Sequence, residues 1–162
     1  MKKQILFVLF LFATTMLFAQ QDAVYVEETN SIDLQKSKKA AVDFGVMMGG
    51  GSLIGVDLEA LLVQRFGIQV GAGINSYGLG LNYHLKDKIN SSFVSFVYWQ
   101  QGFGDNHYAS YVGPFFTWRL NKILQAGVGY GVVVKKGPAI YDTKYSDMTG
   151  SLLFNIGIYF PF

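Results

Sequence analysis

The chain has 162 residues, a formal net charge of +2 and no cysteine. The small net charge gives no argument for a nucleic-acid or acidic partner. The absence of cysteine excludes disulfides, thiolate metal sites and a lipidated cysteine anchor. Only 15 % of the residues are charged and 16 % are aromatic, whereas a soluble domain carries roughly 25 % charged residues. A soluble protein of this composition would have difficulty covering its surface.

The first 19 residues have the pattern of a secretory signal peptide. Lys2 and Lys3 precede an apolar run over residues 5–12, and Leu17-Phe18-Ala19 ends in a small residue before Gln20. The apolar run is shorter than the roughly 20 residues that a membrane-spanning helix needs. We therefore predict a signal peptide at 1–19 rather than a helical anchor.

Residues 20–39 are polar and lack an apolar face that could stabilise them alone. We predict an irregular periplasmic tail here, with a short surface helix over residues 31–38 as the alternative.

From Ala40 onward, apolar residues alternate with small or polar ones, as side chains do on the two faces of a β-strand. The alternating segments are residues 42–48, 54–62, 68–74, 77–85, 93–101, 112–120, 124–134 and 152–162. The apolar face carries no charge, and the opposite face is rich in glycine. A soluble sandwich or lipocalin-like barrel would expose that glycine-rich face, which is unlike a soluble surface. The sequence therefore predicts an all-β fold over 40–162: an antiparallel up-and-down transmembrane β-barrel of about eight strands.

The connections and the aromatic residues add detail to this prediction. Periplasmic turns are predicted near residues 64–66, 86–90 and 121–122, and outer loops near residues 49–52, 75–77, 102–107 and 136–147. Two aromatic girdles are expected at the rims of the apolar face. One comprises Tyr83, Trp118, Phe160 and Phe162, and the other comprises Tyr77, Tyr98 and Tyr108.

The signal peptide, the alternating last strand and the terminal Phe162 resemble the small outer-membrane β-barrel proteins of Gram-negative bacteria, a porin-like family. Phe154, Ile156, Ile158, Phe160 and Phe162 match its C-terminal strand pattern, from which Pro161 departs slightly. The resemblance implies a location in the cell outer membrane, contact with its lipid, and recognition of the last strand by the barrel-assembly machinery. A monomer is expected. The family includes adhesins, defence proteins, narrow pores and lipid-modifying enzymes, so the resemblance does not select an activity.

Several charged residues are predicted to point into the lumen or to lie at its ends, and such charges must be paired when they are buried. We expect an internal salt-bridge network in which Asp57 and Glu59 face Arg119 or another basic residue; a proton or ion path is the alternative. His84 is expected to be a hydrogen-bonded interior residue rather than a metal ligand. The full inward set is Asp43, Asp57, Glu59, His84, Lys86, Arg119 and Lys135.

Two patterns resemble functional motifs. The glycines of residues 127–131 resemble a phosphate-binding loop, but they lie within a strand pattern with no helix following. Asp105, His107 and Ser110 could supply the acid, base and nucleophile of a lipid acyl hydrolase, although they lack the His-x-Ser arrangement of barrel-type lipid A deacylases. We assign no catalytic, metal-binding or cofactor-binding residue.

Three functions remain open. The leading hypothesis is a non-enzymatic barrel with a structural or surface-interaction role. The second is a narrow porin-like channel, for which the many inward glycines leave room, although Trp99, Tyr111, Phe115 and Tyr159 could plug it. The third is a lipid-modifying enzyme. The fold alone cannot rank these hypotheses further.

Overall fold

The structure, a computed structural model, describes residues 38–120, 123–141 and 143–162. The predicted signal peptide, the tail up to residue 37 and the turn at residues 121–122 lie outside the described residues. At the start of the described chain, the Lys38 ammonium donates a hydrogen bond to the Pro161 carbonyl at 3.0 Å.

Eight antiparallel strands form a closed up-and-down barrel in which each strand pairs with its sequence neighbour and β8 pairs with β1. The strands are β1 (Ala40–Val46), β2 (Gly55–Val63), β3 (Phe66–Gly73), β4 (Ser76–His84), β5 (Phe93–Gln101), β6 (Ala109–Leu120), β7 (Leu124–Lys136) and β8 (Gly150–Pro161). The predicted fold class and strand number are confirmed. Every strand overlaps a segment where the sequence alternates, because a period of two places one apolar face along each strand.

The apolar face of each strand points away from the barrel axis. On β4, Leu79 is 53 % and Leu81 65 % exposed, while Asn82 and His84, on the opposite face of the strand, are buried. The same alternation places buried Asp57 and Glu59 on the inner face of β2. The barrel thus exposes apolar side chains and buries polar ones, the reverse of the usual distribution in soluble proteins.

The two ends of the barrel differ. We call the end where Ala40 and Phe162 meet the terminal end, and the opposite end the loop end. The connections 64–65 and 85–92 lie at the terminal end, while 47–54, 74–75, 102–108 and 137–149 lie at the loop end. The last of these carries a helical turn, α2 (Pro138–Tyr141), and 102–108 carries a 3₁₀ turn (Gly104–Asn106). Among the described residues, no helix is long and apolar enough to cross a bilayer.

The connection between β1 and β2 corrects one prediction. Residues 49–52 were expected to form an outer loop, but they belong to a buried helical turn, α1 (Met48–Gly51), folded into the lumen. Glycines on the wall make this insertion possible. A Cβ on Gly71 would lie 2.8 Å from the Gly49 Cα, and a Cβ on Gly78 would lie 2.9 Å from the Gly50 Cα. The three glycines of α1 have positive φ, which residues with a side chain rarely adopt.

The interior has two layers. Toward the loop end it is apolar, and Trp99, Tyr111 and Phe115 are buried there with Leu153 and Ile140. Toward the terminal end it contains a cluster of charged side chains, and the buried apolar residues Ala41, Leu61, Ile89 and Tyr159 lie at the same end. The predicted interior position of Trp99, Tyr111, Phe115 and Tyr159 is confirmed, since each is at most 6 % exposed. Tyr108, expected in an outer girdle, instead packs half-buried against the apolar layer.

Candidate functional site

The most highly organised polar site is an ion-pair cluster inside the barrel, comprising Asp43, Glu59, His84 and Arg119. Arg119, near the terminal end of β6, places its Nη2 2.6 Å from Glu59 Oε2 and 3.3 Å from Asp43 Oδ1. Its Nε donates to Gln125 Oε1 at 3.2 Å, and its Nη1 donates to the Ile89 carbonyl. The Asp43, Glu59 and Arg119 side chains have no exposure to solvent, so the guanidinium compensates two buried carboxylates.

Two aromatic rings complete the surroundings of Arg119. Its Cζ lies 5.0 Å from the ring centroid of Phe93 and 4.4 Å from that of Tyr159. Aromatic faces attract a guanidinium at these distances. The rings therefore restrict the guanidinium to the plane in which it reaches both carboxylates.

Glu59 connects the arginine to a second set of hydrogen bonds. Its Oε1 accepts from Asn82 Nδ2 at 2.5 Å and from His84 Nε2 at 2.9 Å. The other ring nitrogen of His84, Nδ1, lies 3.2 Å from the Ser91 hydroxyl in the 85–92 connection. The cluster thus joins β1, β2, β4 and β6 to the connection that covers the terminal end.

The structure confirms a paired internal network and corrects one of its members. Glu59 faces Arg119 as predicted, but Asp57 does not. The Asp57 carboxylate accepts the Gly49 N–H, at 3.1 and 3.2 Å to its two oxygens, and so anchors α1 inside the lumen. Residues two apart on one strand lie about 6.6 Å apart, which takes Asp57 toward the loop end and away from the guanidinium.

The other residues that were predicted to point into the lumen or to lie at its ends are found at those positions. His84 is a buried, hydrogen-bonded residue, as expected. Lys86 and Lys135 lie at the two barrel ends and are exposed. Within the described ranges, no group of three or more His, Asp or Glu side chains is arranged to hold a metal ion. The side chains of Asp43, Glu59, His84 and Arg119 are all closed to solvent.

The hydrolase-like residues are only partly brought together. His107 Nε2 lies 3.1 Å from the Ser110 hydroxyl, which also accepts from the Tyr98 hydroxyl at 3.3 Å. Both His107 and Ser110 are buried, whereas Asp105 lies on the exposed 3₁₀ turn. Burial lowers the pKa of His107, and the nearby charge of Lys135 lowers it further. The hydrogen bond between His107 and Ser110 therefore fastens the 102–108 loop to the start of β6.

This pair predicts a pH-dependent loop. Because the pKa of His107 is lower in the folded protein, the unfolded loop binds more protons as the pH falls through about 6.5. We expect the amide protection factors of residues 102–108, which correct the observed exchange rate for the intrinsic pH dependence of exchange, to be high at pH 7.5 and to fall toward pH 5. His107→Gln should remove this fall, and an equal fall in the variant would contradict the assignment.

Sequence reasoning missed the inward fold of α1 and the part played by Ser91. The signal for the first was present in Gly49-Gly50-Gly51, opposite Gly71 and Gly78 on the wall. Ser91 gave no signal, because it lies in a connection without alternation. The chain matches no protein-family model, no curated protein and no solved structure.

Proposed function

We propose that this chain is an integral outer-membrane β-barrel with a structural or surface-interaction role, without channel activity or chemistry of its own. The observation that carries the proposal is the inverted distribution of side chains. Leu79, Leu81 and Ile156 are more than half exposed on the outer surface, while Asp43 and Glu59 are fully buried. Such an exterior suits hydrocarbon and would promote aggregation in water.

The barrel wall supports a membrane location in its dimensions and its aromatic residues. The strands have 7 to 13 residues, around the 9–11 typical of a tilted membrane strand. Aromatic pairs occur at both rims: Phe116 and Trp118 at the terminal end, and Tyr77 and Tyr98 at the loop end. Aromatic side chains are enriched at both membrane interfaces.

The filled interior favours the structural role over the channel. A barrel of about eight strands is just wide enough for side chains to fill it. Here α1 occupies the lumen in addition, and the buried ring of Trp99 lies beside the Cα of Gly51. The closed pair of His107 and Ser110, with Asp105 exposed, gives no support to the lipid-modifying enzyme.

The proposed orientation places the loop end outside the cell. The 137–149 connection would then be the longest surface loop and the first candidate for contact with a partner. Phe160 on the outer face of β8 and the terminal Phe162 would be read by the barrel-assembly machinery. The closed ring of eight strands is consistent with a monomer.

A gel experiment tests the membrane location. Outer-membrane and soluble periplasmic fractions are compared with and without boiling in detergent. We expect the protein in the outer-membrane fraction, with the unheated sample migrating differently from the boiled one, because a closed barrel resists detergent at room temperature. Recovery from the soluble fraction without such a shift would contradict the proposal.

A further inference from the structure

The barrel wall has a gap between β1 and β8 at the loop end. Pairing of these strands ends at Val46 and Ile156, although β8 extends six residues further, to Gly150. β1 stops here because Met47 adopts a left-handed conformation, φ 58°, and turns the chain into the lumen. The upper part of β8 is therefore paired with β7 on one side only.

The backbone N–H and C=O groups of β8 point alternately toward β7 and toward β1, and this alternation shows which groups lie on the unpaired edge. The Thr149 carbonyl and the Tyr159 N–H bond toward β7, whereas Phe162 bonds to Ala40 of β1. Odd-numbered residues of β8 thus face β7 and even-numbered ones face β1. Leu152 and Phe154 consequently direct their N–H groups into the gap. The Leu152 carbonyl already accepts the Ser151 hydroxyl at 3.2 Å.

A cavity of about 390 Å³ lies at this gap. Its floor includes the buried side chains of Trp99, Tyr111 and Leu153. Its mouth includes Leu152 and Phe154, which are 71 % and 55 % exposed on the outer face of β8. The lining also includes Met47, Gln101, Tyr108, Tyr145, Met148 and Ser151.

The chemistry of the lining selects the class of ligand. None of these lining residues is charged, so the cavity has no ion-pair partner for an acid or a base. The amide of Gln101 is held by the Gly51 carbonyl at 3.2 Å. The floor therefore offers carbon surface and tyrosine hydroxyls, while the mouth offers two backbone N–H donors. An alkyl chain ending in an ester carbonyl matches both parts.

We propose that this cavity binds an acyl chain of a bilayer lipid, which enters sideways through the gap between β1 and β8. The proposal rests on the membrane location proposed above, because two residues of the lining, Leu152 and Phe154, lie on the apolar outer face of β8. The volume lies within the range of about 300–1,000 Å³ that ligand pockets have. The ester carbonyl of the lipid would accept the N–H groups of Leu152 and Phe154, which would otherwise face hydrocarbon without a partner.

The two tryptophans of the chain separate this proposal from the one on which it rests. Trp99 lies on the cavity floor, and Trp118 lies on the outer surface at 46 % exposure. The full barrel is reconstituted in bilayers of phospholipid with brominated acyl chains, which quench tryptophan on close approach. Trp118→Phe leaves Trp99 as the only reporter, and Trp99→Phe leaves Trp118.

We expect Trp118 to be quenched because it faces lipid, and Trp99 to lose most of its fluorescence because a brominated chain reaches it. Ser151→Leu or Met148→Phe, each made with Trp118→Phe, should fill the cavity and restore most of the Trp99 signal. The gel experiment with and without boiling verifies that each variant is folded. If one of the two cavity-filling variants does not fold, the other is used.

Three results would overturn the proposal. Quenching of Trp118 without quenching of Trp99 would remove the acyl-chain site and leave the membrane location intact. Equal quenching of Trp99 in the open and filled cavities would show that bromine atoms in the surrounding bilayer quench Trp99 through the barrel wall. Quenching of Trp99 by an added brominated free fatty acid, but not by brominated phospholipid, would identify the ligand as a free fatty acid and not a bilayer lipid. Absence of Trp118 quenching would contradict the membrane location itself.

Discussion

Arg119→Ala is expected to destabilise the barrel by about 3–5 kcal/mol, the usual cost of removing one partner from a buried ion pair. The reason lies in the charges that remain. Without the guanidinium, Asp43 would be a buried carboxylate that has lost its ion-pair partner, and Glu59 would keep only the His84 ring beside it. The contacts of Arg119 with the rings of Phe93 and Tyr159 would also be lost.

Urea unfolding of the protein in lipid vesicles or detergent measures this loss. Arg65→Ala is the matched control, because Arg65 lies exposed in the β2–β3 turn and its loss should change the free energy of unfolding little. Arg119→Met combined with Asp43→Asn and Glu59→Gln should recover much of the stability, since the unpaired charges are gone. Equal midpoints for Arg119→Ala and Arg65→Ala would show that the cluster does not stabilise the fold.

Gly50→Val is expected to release α1 from the lumen and to expose residues 47–54 to protease. Gly50 has φ +79°, and a Cβ there would lie 2.0 Å from the Tyr77 carbonyl oxygen. The left-handed conformation alone costs a residue such as valine about 1–3 kcal/mol, and the clash with backbone adds to it. The attachments that oppose release include the Asp57 carboxylate and the Ser76 hydroxyl, which bind Gly49, and the Gln101 amide, which donates to the Gly51 carbonyl.

Protease cleavage within residues 47–54 measures the release. The unmodified barrel should resist cleavage there. Gly104→Val is the control: Gly104 also has positive φ, 54°, but a Cβ there meets nothing within 4 Å. The control therefore carries the conformational strain without the clash. A Gly50→Val barrel that stays resistant to cleavage would mean that α1 tolerates the side chain.

The strands could be predicted from the sequence because one observable pattern determines them. In β8, alternate residues from Leu152 to Phe160 are apolar, and that period of two belongs only to a strand with two different faces. The absence of charge on the apolar face also indicated which face points outward. The positions of the strands and the direction of their apolar faces depend only on local sequence, so both can be predicted without knowing the register of the barrel.

The candidate site could be predicted only in part, because alternation gives the face of a residue and not its height in the barrel. Asp57 and Glu59 share the inner face of β2, and nothing local shows that one reaches Arg119 and the other Gly49. Those partners depend on how eight strands are staggered around the ring. The cavity at the β1–β8 gap depends in addition on where Met47 leaves the wall, which an alternating pattern does not record.

The seam that closes the barrel joins β1 and β8, the two strands of the barrel that are farthest apart in sequence. Lys38 binds the carbonyl of Pro161, 123 residues away, and Ala40 exchanges hydrogen bonds with Phe162. Pairings of such long range form slowly, because the loss of chain entropy precedes the gain in contacts. Until β8 has been synthesised, β1 has no second partner and presents a free edge that other chains can pair with. The chain therefore has to be shielded from its neighbours for as long as its seam is open.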